Sequence, residues 1–205
     1  MLDYGLSAFD IRNRFSMNGS YELPIGSGQA LLGGVTGIAD KLVSGWQLNA
    51  IVSLQDGFPF TPLLGFSQSR NGQTNFADRP DMAPGRTLEG IYQRTAEHWI
   101  DATAFQLPLA GTYGNAGRDI MIGPGLAEVD MSLFKTTRLT ERWGLQFRAE
   151  FFNLLNRTNF GTPAITVWTA PTTQRPLGAP APGAGKITRT ATKSREIQFG
   201  LKLSF

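Results

Sequence analysis

The single histidine of this chain, His98, is flanked by Glu97, Trp99 and Asp101, and it is the first place to look for chemistry. An imidazole among carboxylates can bind a metal ion or relay a proton. A metal site needs more converging ligands than one loop histidine and scattered acids supply. The other carboxylates, Asp78, Asp81, Glu128, Asp130 and Glu150, lack the spacing of a calcium loop. No serine–histidine–aspartate set can be assembled except through His98. With no cysteine, there is neither a thiolate nucleophile nor a disulfide nor a thiolate metal site. Gly26-Ser27-Gly28 starts like a phosphate loop but has incomplete spacing and no lysine in position. Asn156-Arg157-Thr158 fits a glycosylation triplet and is read as chance. The expectation is no catalytic residue, no metal, no cofactor and no enzyme.

Two charged sets point to binding instead. Segment 157–194 carries Arg157, Arg175, Lys186, Arg189 and Lys193 and no acidic residue. Such a segment suits anionic lipopolysaccharide headgroups or an anionic ligand, with a plain solvated loop as the alternative. The second set is Glu128, Asp130, Arg148, Glu150 and Lys202, each embedded in an alternating stretch. Only strands would bring these five to one side.

The clearest strand is 195–205. Ile197, Phe199, Leu201, Leu203 and Phe205 alternate with Gln198, Gly200, Lys202 and Ser204. Its length is roughly 35 Å, enough for a tilted membrane-crossing strand. A greasy strand ending on an aromatic is what barrel-assembly machinery reads, so Phe199, Leu201, Leu203 and Phe205 are taken as an assembly signal. Segments 12–23, 45–55, 126–138 and 143–153 alternate in the same way, for example Trp46, Leu48, Ala50, Val52 and Leu54 against Gln47, Asn49 and Ser53.

Composition agrees. The 205 residues contain 24 glycines and only 17% charged side chains, which suits strands and turns better than helices. No apolar run approaches the length of a membrane helix, but alternating strands cross a bilayer without one. The net charge of +3 is too small to imply nucleic acid. Met1-Leu2-Asp3-Tyr4-Gly5 lacks the basic start and apolar run of a signal peptide. An exported chain would then be a C-terminal piece, with Met1 an internal methionine or an artificial start.

The connections sort themselves. Segment 25–44 is glycine-rich, with a short helix expected over 37–43. Long aperiodic stretches occupy 59–125, with a helix expected near 91–99, and 156–194. A tight turn spans 140–142. If the last strand ends in the periplasm, both long stretches fall outside the cell and the tight turn falls inside. Trp46 and Trp143 then share the periplasmic boundary with Phe205, as an aromatic girdle would. The charged set Glu128, Asp130, Arg148, Glu150 and Lys202 would line a lumen, with Asp130 and Arg148 as candidate cross-strand neighbours. The wet face of a water-soluble sheet is the plain alternative. The fold expected is all-β: an antiparallel up-and-down meander of about five long strands, a partial transmembrane β-barrel with long extracellular loops.

Asp10-Ile-Arg-Asn-Arg-Phe15, Gly45-Trp-Gln-Leu-Asn49, Gly57-Phe-Pro-Phe-Thr-Pro62 and Gly114-Asn-Ala-Gly-Arg118 recur in order along the chain, followed by Gly123-Pro-Gly125 and Val129-Asp-Met-Ser-Leu-Phe134. Next come Arg148-Ala-Glu-Phe-Phe-Asn-Leu-Leu-Asn156 with Asn159-Phe160, and the terminal strand. With these segments the chain resembles the C-terminal barrel region of TonB-dependent outer-membrane receptors, nearest the Oar-like group that carries a carboxypeptidase-regulatory-like domain. The resemblance implies a barrel of about 22 strands around a plug, importing a ligand with energy passed by TonB. Plug, TonB-contacting box and most of the barrel are not in this sequence, and five strands cannot close a barrel. Implied partners are outer-membrane lipid and lipopolysaccharide, the barrel-assembly machinery, TonB through upstream segments, and an unidentified ligand, in the bacterial outer membrane. The rivals are a structural or adhesive barrel without transport, and a soluble carbohydrate-binding β-sandwich.

Overall fold

The computed structural model describes residues 4–72, 77–175 and 178–205. It divides into two compact units. One unit, 14–54, 127–158 and 193–205, is built on the alternating segments. Its strands are β1 (Arg14–Glu22), β2 (Trp46–Gln55), β3 (Leu126–Arg138), β4 (Gly144–Phe152) and β5 (Glu196–Ser204). They form one five-stranded sheet in chain order, an antiparallel meander. Alternation explains both the strands and their order, because each neighbour is joined by a reversal that keeps apolar side chains on one face.

Register fixes which residues share a face. Phe147 stands opposite Leu201 on β5 and opposite Lys135 on β3. Arg148 stands opposite Gly200 and Phe134. Asp130 and Arg148 are therefore not cross-strand neighbours, contrary to the sequence expectation. The β3–β4 pairing instead brings Ser132 to Glu150, and the Asp130 carboxylate accepts from the Asn153 backbone N–H at 2.8 Å. After Leu133 the alternation of β3 also inverts: Phe134 joins the polar face and Lys135 the apolar one. A cation over a ring stabilises each exception. The Arg148 guanidinium lies 5.1 Å from the Phe134 ring, and the Lys135 ammonium lies 5.2 Å from Trp46.

Between β1 and β2 the expected short helix forms as α1 (Gly37–Val43). Gly45 then turns the chain into β2 with φ of 78°, and a Cβ there would meet the Thr136 carbonyl oxygen at 2.4 Å. Only glycine fits both demands. Asp40 ties the helix end down: its carboxylate accepts from the Ser44 hydroxyl and from the Ser27 N–H. The Ser44 hydrogen bond, then the Ser27 N–H, hold the Asp40 carboxyl below its ordinary value of 3.8. A depressed carboxyl stabilises the fold above its ordinary pKa and loses that contribution as pH falls through the folded value. The protection of amides in 37–44, relative to their intrinsic exchange rates, is thus expected to hold down to about pH 4 and to fall only below it. An equal loss of protection near neutrality would contradict the Asp40 tether.

The other unit comprises 1–13, 55–126 and 159–192. Here the long stretches expected as loops build their own core of Phe60, Ile91, Ile100, Ala104, Phe105, Met121, Val167 and Ala184. Pairs only two residues long frame it: Pro59–Phe60 with Met121–Ile122, and Asp81–Met82 with Phe105–Gln106. Thr166–Thr169 pairs with both Leu63–Leu64 and Ala179–Pro180. Gly57 permits this packing, since a Cβ there would lie 1.9 Å from the Gly123 carbonyl oxygen. The helix expected near 91–99 does not form. Single 3-10 turns at Glu89–Ile91 and Ala102–Ala104 stand in its region, because Ile91 and Ile100 are drawn into the core from a bent chain rather than along a helix face.

Candidate functional site

The sheet presents opposite chemistries on its two faces. On one, Leu133, Leu145, Phe147, Ala149, Phe151, Ile197, Phe199, Leu201 and Leu203 alternate outward, and Phe147 stacks on Phe199 at 6.2 Å between centroids. Phe199 and Leu201 are 68% and 72% exposed, so no described residue covers them. The other face carries Glu128, Asp130, Arg148, Glu150 and Lys202, which strand parity and register place on one side. Hydrogen bonds knit this side together. Arg148 Nε donates to Gln146 Oε1 at 2.8 Å, Asn49 Nδ2 to Ser132 Oγ at 3.5 Å, and Gln47 Nε2 to Ser20 Oγ at 2.5 Å. At the end of the sheet bearing the tight turn, Trp143 packs on Phe205 with ring centroids 5.3 Å apart, and Trp46 Nε1 donates to the Leu42 carbonyl.

The second unit holds a cavity of about 440 Å³ lined by Asp10, Arg12, Asp56, Tyr92, Arg94 and Trp99, among others. Its two rings are held by one backbone residue. The Tyr92 hydroxyl accepts from the Ile122 N–H at 2.8 Å, and the Trp99 indole N–H donates to the Ile122 carbonyl at 2.9 Å. Arg94 lies 5.8 Å from the Tyr92 ring centroid, and Asp56 accepts from Asn13 at 2.7 Å. Fixed rings and charges of both signs therefore line the same cavity.

An apolar face left uncovered, backed by a hydrogen-bonded polar face, is the cross-section of a membrane-crossing sheet. A profile of the family described as outer membrane beta barrel domain matches residues 1–198. The chain belongs to this family. No curated protein and no solved structure matches it. As an outer membrane beta barrel domain, it resides in the bacterial outer membrane. That location removes the soluble sandwich as a reading.

Within this barrel domain the remaining sequence candidates are scattered. His98 is exposed, and its backbone is engaged with Thr95. Glu97 is drawn away to Lys186 at 2.8 Å, and that hydrogen bond, then the Lys186 charge, hold its carboxyl below the ordinary value. Asp101 is occupied by Thr103 and Arg86. Partial burial raises its carboxyl, but those donors outweigh it and the net direction is downward. Among the described residues no three metal-ligating side chains converge.

The five basic residues have local partners. Lys186 pairs with Glu97 and Lys193 with Glu196, both acids lying outside segment 157–194. The carbonyls of Arg157 and Lys193 accept from Asn153, the Arg189 carbonyl accepts from Gly161, and Arg175 closes a turn on Thr172. Of the terminal aromatic and aliphatic set, Phe199, Leu201 and Leu203 lie on the apolar face, and Phe205 is exposed beside Trp143. Sequence reasoning missed the Tyr92–Trp99 cavity. Neither ring belongs to a periodic segment, so no pattern marked them as lining one cavity.

Proposed function

We propose that this barrel domain is the C-terminal part of a TonB-dependent outer-membrane receptor of the Oar-like kind, taking up a ligand across the outer membrane. One observation carries the reading: the long connections are a packed unit with a cavity of about 440 Å³ whose rings are fixed to Ile122. A barrel serving only as a structural or adhesive element has no need of a preformed small-molecule site. In this reading Glu128, Asp130, Arg148, Glu150 and Lys202 line the lumen and meet the plug, and Trp46 and Trp143 form the periplasmic girdle. Arg157, Arg175, Lys186, Arg189 and Lys193 face lipopolysaccharide, and Phe199, Leu201, Leu203 and Phe205 are read by the assembly machinery. Ligand passes unchanged, with no catalysis and no cofactor. TonB acts through segments upstream of this sequence.

The test is growth of a receptor-deleted strain and its complemented parent on a panel of sole nutrients, each with and without TonB. A nutrient requiring both receptor and TonB supports uptake. No such nutrient, with a normal amount of folded barrel in the membrane, would favour the structural or adhesive role. Where such a nutrient is found, Trp99→Ala is expected to lower its uptake at least tenfold. Removing the indole deletes one wall and frees the Ile122 carbonyl, a loss of about 1.4 kcal/mol or more. Uptake unchanged by Trp99→Ala would move the ligand elsewhere.

A further inference from the structure

Helix α1 is too short to persist alone in water, so its position is set by what holds it. Trp46 Nε1 donates to the Leu42 carbonyl, Thr137 Oγ1 to the Lys41 carbonyl at 3.2 Å, and Lys41 Nζ to the Leu139 carbonyl at 3.1 Å. Lys135 Nζ donates to the Ser44 carbonyl, immediately after the helix, at 2.5 Å. Register puts Lys135 opposite Phe147, so these holds fasten the helix end to the apolar side of the sheet. On the outer side of the helix, Ile38 and Leu42 form an i, i+4 pair that is 80% and 65% exposed. Leu31 and Leu32, in the turn before it, are each 56% exposed. No described residue covers this aliphatic cluster, which water would not favour.

Lys135 shows what does. Among the residues that β3, β4 and β5 place on the apolar face, it is the one charge. A lysine there is costly at mid-bilayer and tolerable at the interface, where its stem lies in hydrocarbon and its ammonium reaches polar groups. Its contacts with Trp46 and the Ser44 carbonyl mark the edge of the hydrocarbon. Ile38 and Leu42 therefore sit at the level of Trp46 and of the Trp143–Phe205 pair. Lys41, Arg138 and Arg142 add positive charge around this rim and Glu22 and Glu141 negative charge, while Asp40 is engaged by Ser44 and Ser27.

We propose that α1 with the preceding turn is a phospholipid-binding collar. Ile38 and Leu42 lie against acyl chains of the periplasmic leaflet, and Lys41 and Lys135 face the lipid phosphates. The short-turn end of an outer-membrane barrel faces the periplasm, and that leaflet supplies phospholipid rather than lipopolysaccharide. The proposal rests on the outer-membrane location and is independent of whether the barrel transports anything.

The absence of cysteine allows a direct test. Single variants Ile38→Cys, Leu42→Cys, Leu201→Cys and Gln198→Cys of the full chain are labelled with an environment-sensitive dye. They are folded into phosphatidylethanolamine–phosphatidylglycerol vesicles containing lipids with a nitroxide near the headgroup or near the chain end. The dyes at 38 and 42 are expected to shift to the blue and lose intensity to the shallow nitroxide. The dye at 201, on the same apolar face, should lose it to at least one of the two nitroxides, and the dye at 198 to neither. Unquenched dyes at 38 and 42, with 201 quenched, would overturn the collar. An unquenched dye at 201 would overturn the lipid contact of the whole face, and the collar with it. Quenching at 42 that appears only after lipopolysaccharide is added would overturn the assignment to the periplasmic leaflet.

Discussion

Asn153→Ala is expected to lower the stability of the folded chain by about 4 kcal/mol, although Asn153 touches neither the cavity nor the apolar face. Its side chain, 2% exposed, makes three hydrogen bonds. Nδ2 donates to the carbonyls of Arg157 and Lys193 at 2.9 and 3.0 Å, and Oδ1 accepts from the Arg157 N–H at 2.9 Å. Each is worth about 1 kcal/mol net, and more when the deserted partner stays buried. The backbone of Asn153 is left-handed, with φ of 48°, which asparagine tolerates and alanine resists by about 1 kcal/mol. Asn153→Gly separates the two effects: it loses the hydrogen bonds, tolerates the backbone, and should cost about 3 kcal/mol. Urea unfolding in detergent micelles, followed by tryptophan emission, measures both. A loss below about 1 kcal/mol for the alanine variant would show that Asn153 does not hold the β4–β5 connection.

That asparagine explains why one motif was so legible. Arg148-Ala-Glu-Phe-Phe-Asn-Leu-Leu-Asn156 reads as strand, then stop. Both asparagines stand at positive φ, and Asn156 Oδ1 accepts from the Arg195 N–H at 3.0 Å, where β5 is about to begin. Residue type, backbone and long-range contact coincide, so the local signal carried tertiary information. The same holds for the alternation of β3 to β5, where strand parity and register set the face of each side chain. It fails at Phe134 and Lys135, because a ring under Arg148 and an ammonium over Trp46 are cross-strand matters that a single strand's pattern does not contain. It fails altogether in the second unit. Its core residues come from pieces as short as Pro59–Phe60 and Met121–Ile122, far apart in sequence and paired across glycines such as Gly57. Two residues are too few to establish a period. The glycines and prolines that make the segments read as loops are what let their backbones touch.

The other large effect follows from what Leu201 faces. Leu201→Arg is expected to destabilise the sheet in phospholipid vesicles by about 1–4 kcal/mol, the cost of a guanidinium on a lipid-facing strand, which falls from mid-bilayer towards the interface. Leu201 sits near the middle of β5, opposite Phe147, on the face where nothing described covers it. Gln198→Arg is the matched control. It lies three residues away on the polar face, opposite Glu150, and should change stability by less than about 0.5 kcal/mol. In water an arginine at an exposed leucine position is nearly neutral, so the contrast reports the surrounding medium rather than helix or strand preference. Urea midpoints in vesicles, read from the tryptophan emission of both variants and the parent, supply the comparison. Equal effects at 198 and 201 would mean that lipid does not lie against the apolar face, and the face would need a protein cover instead. A large difference would establish that the alternating residues of β3, β4 and β5 are sorted by lipid, the condition under which a face as bare as Phe199 and Leu201 is stable.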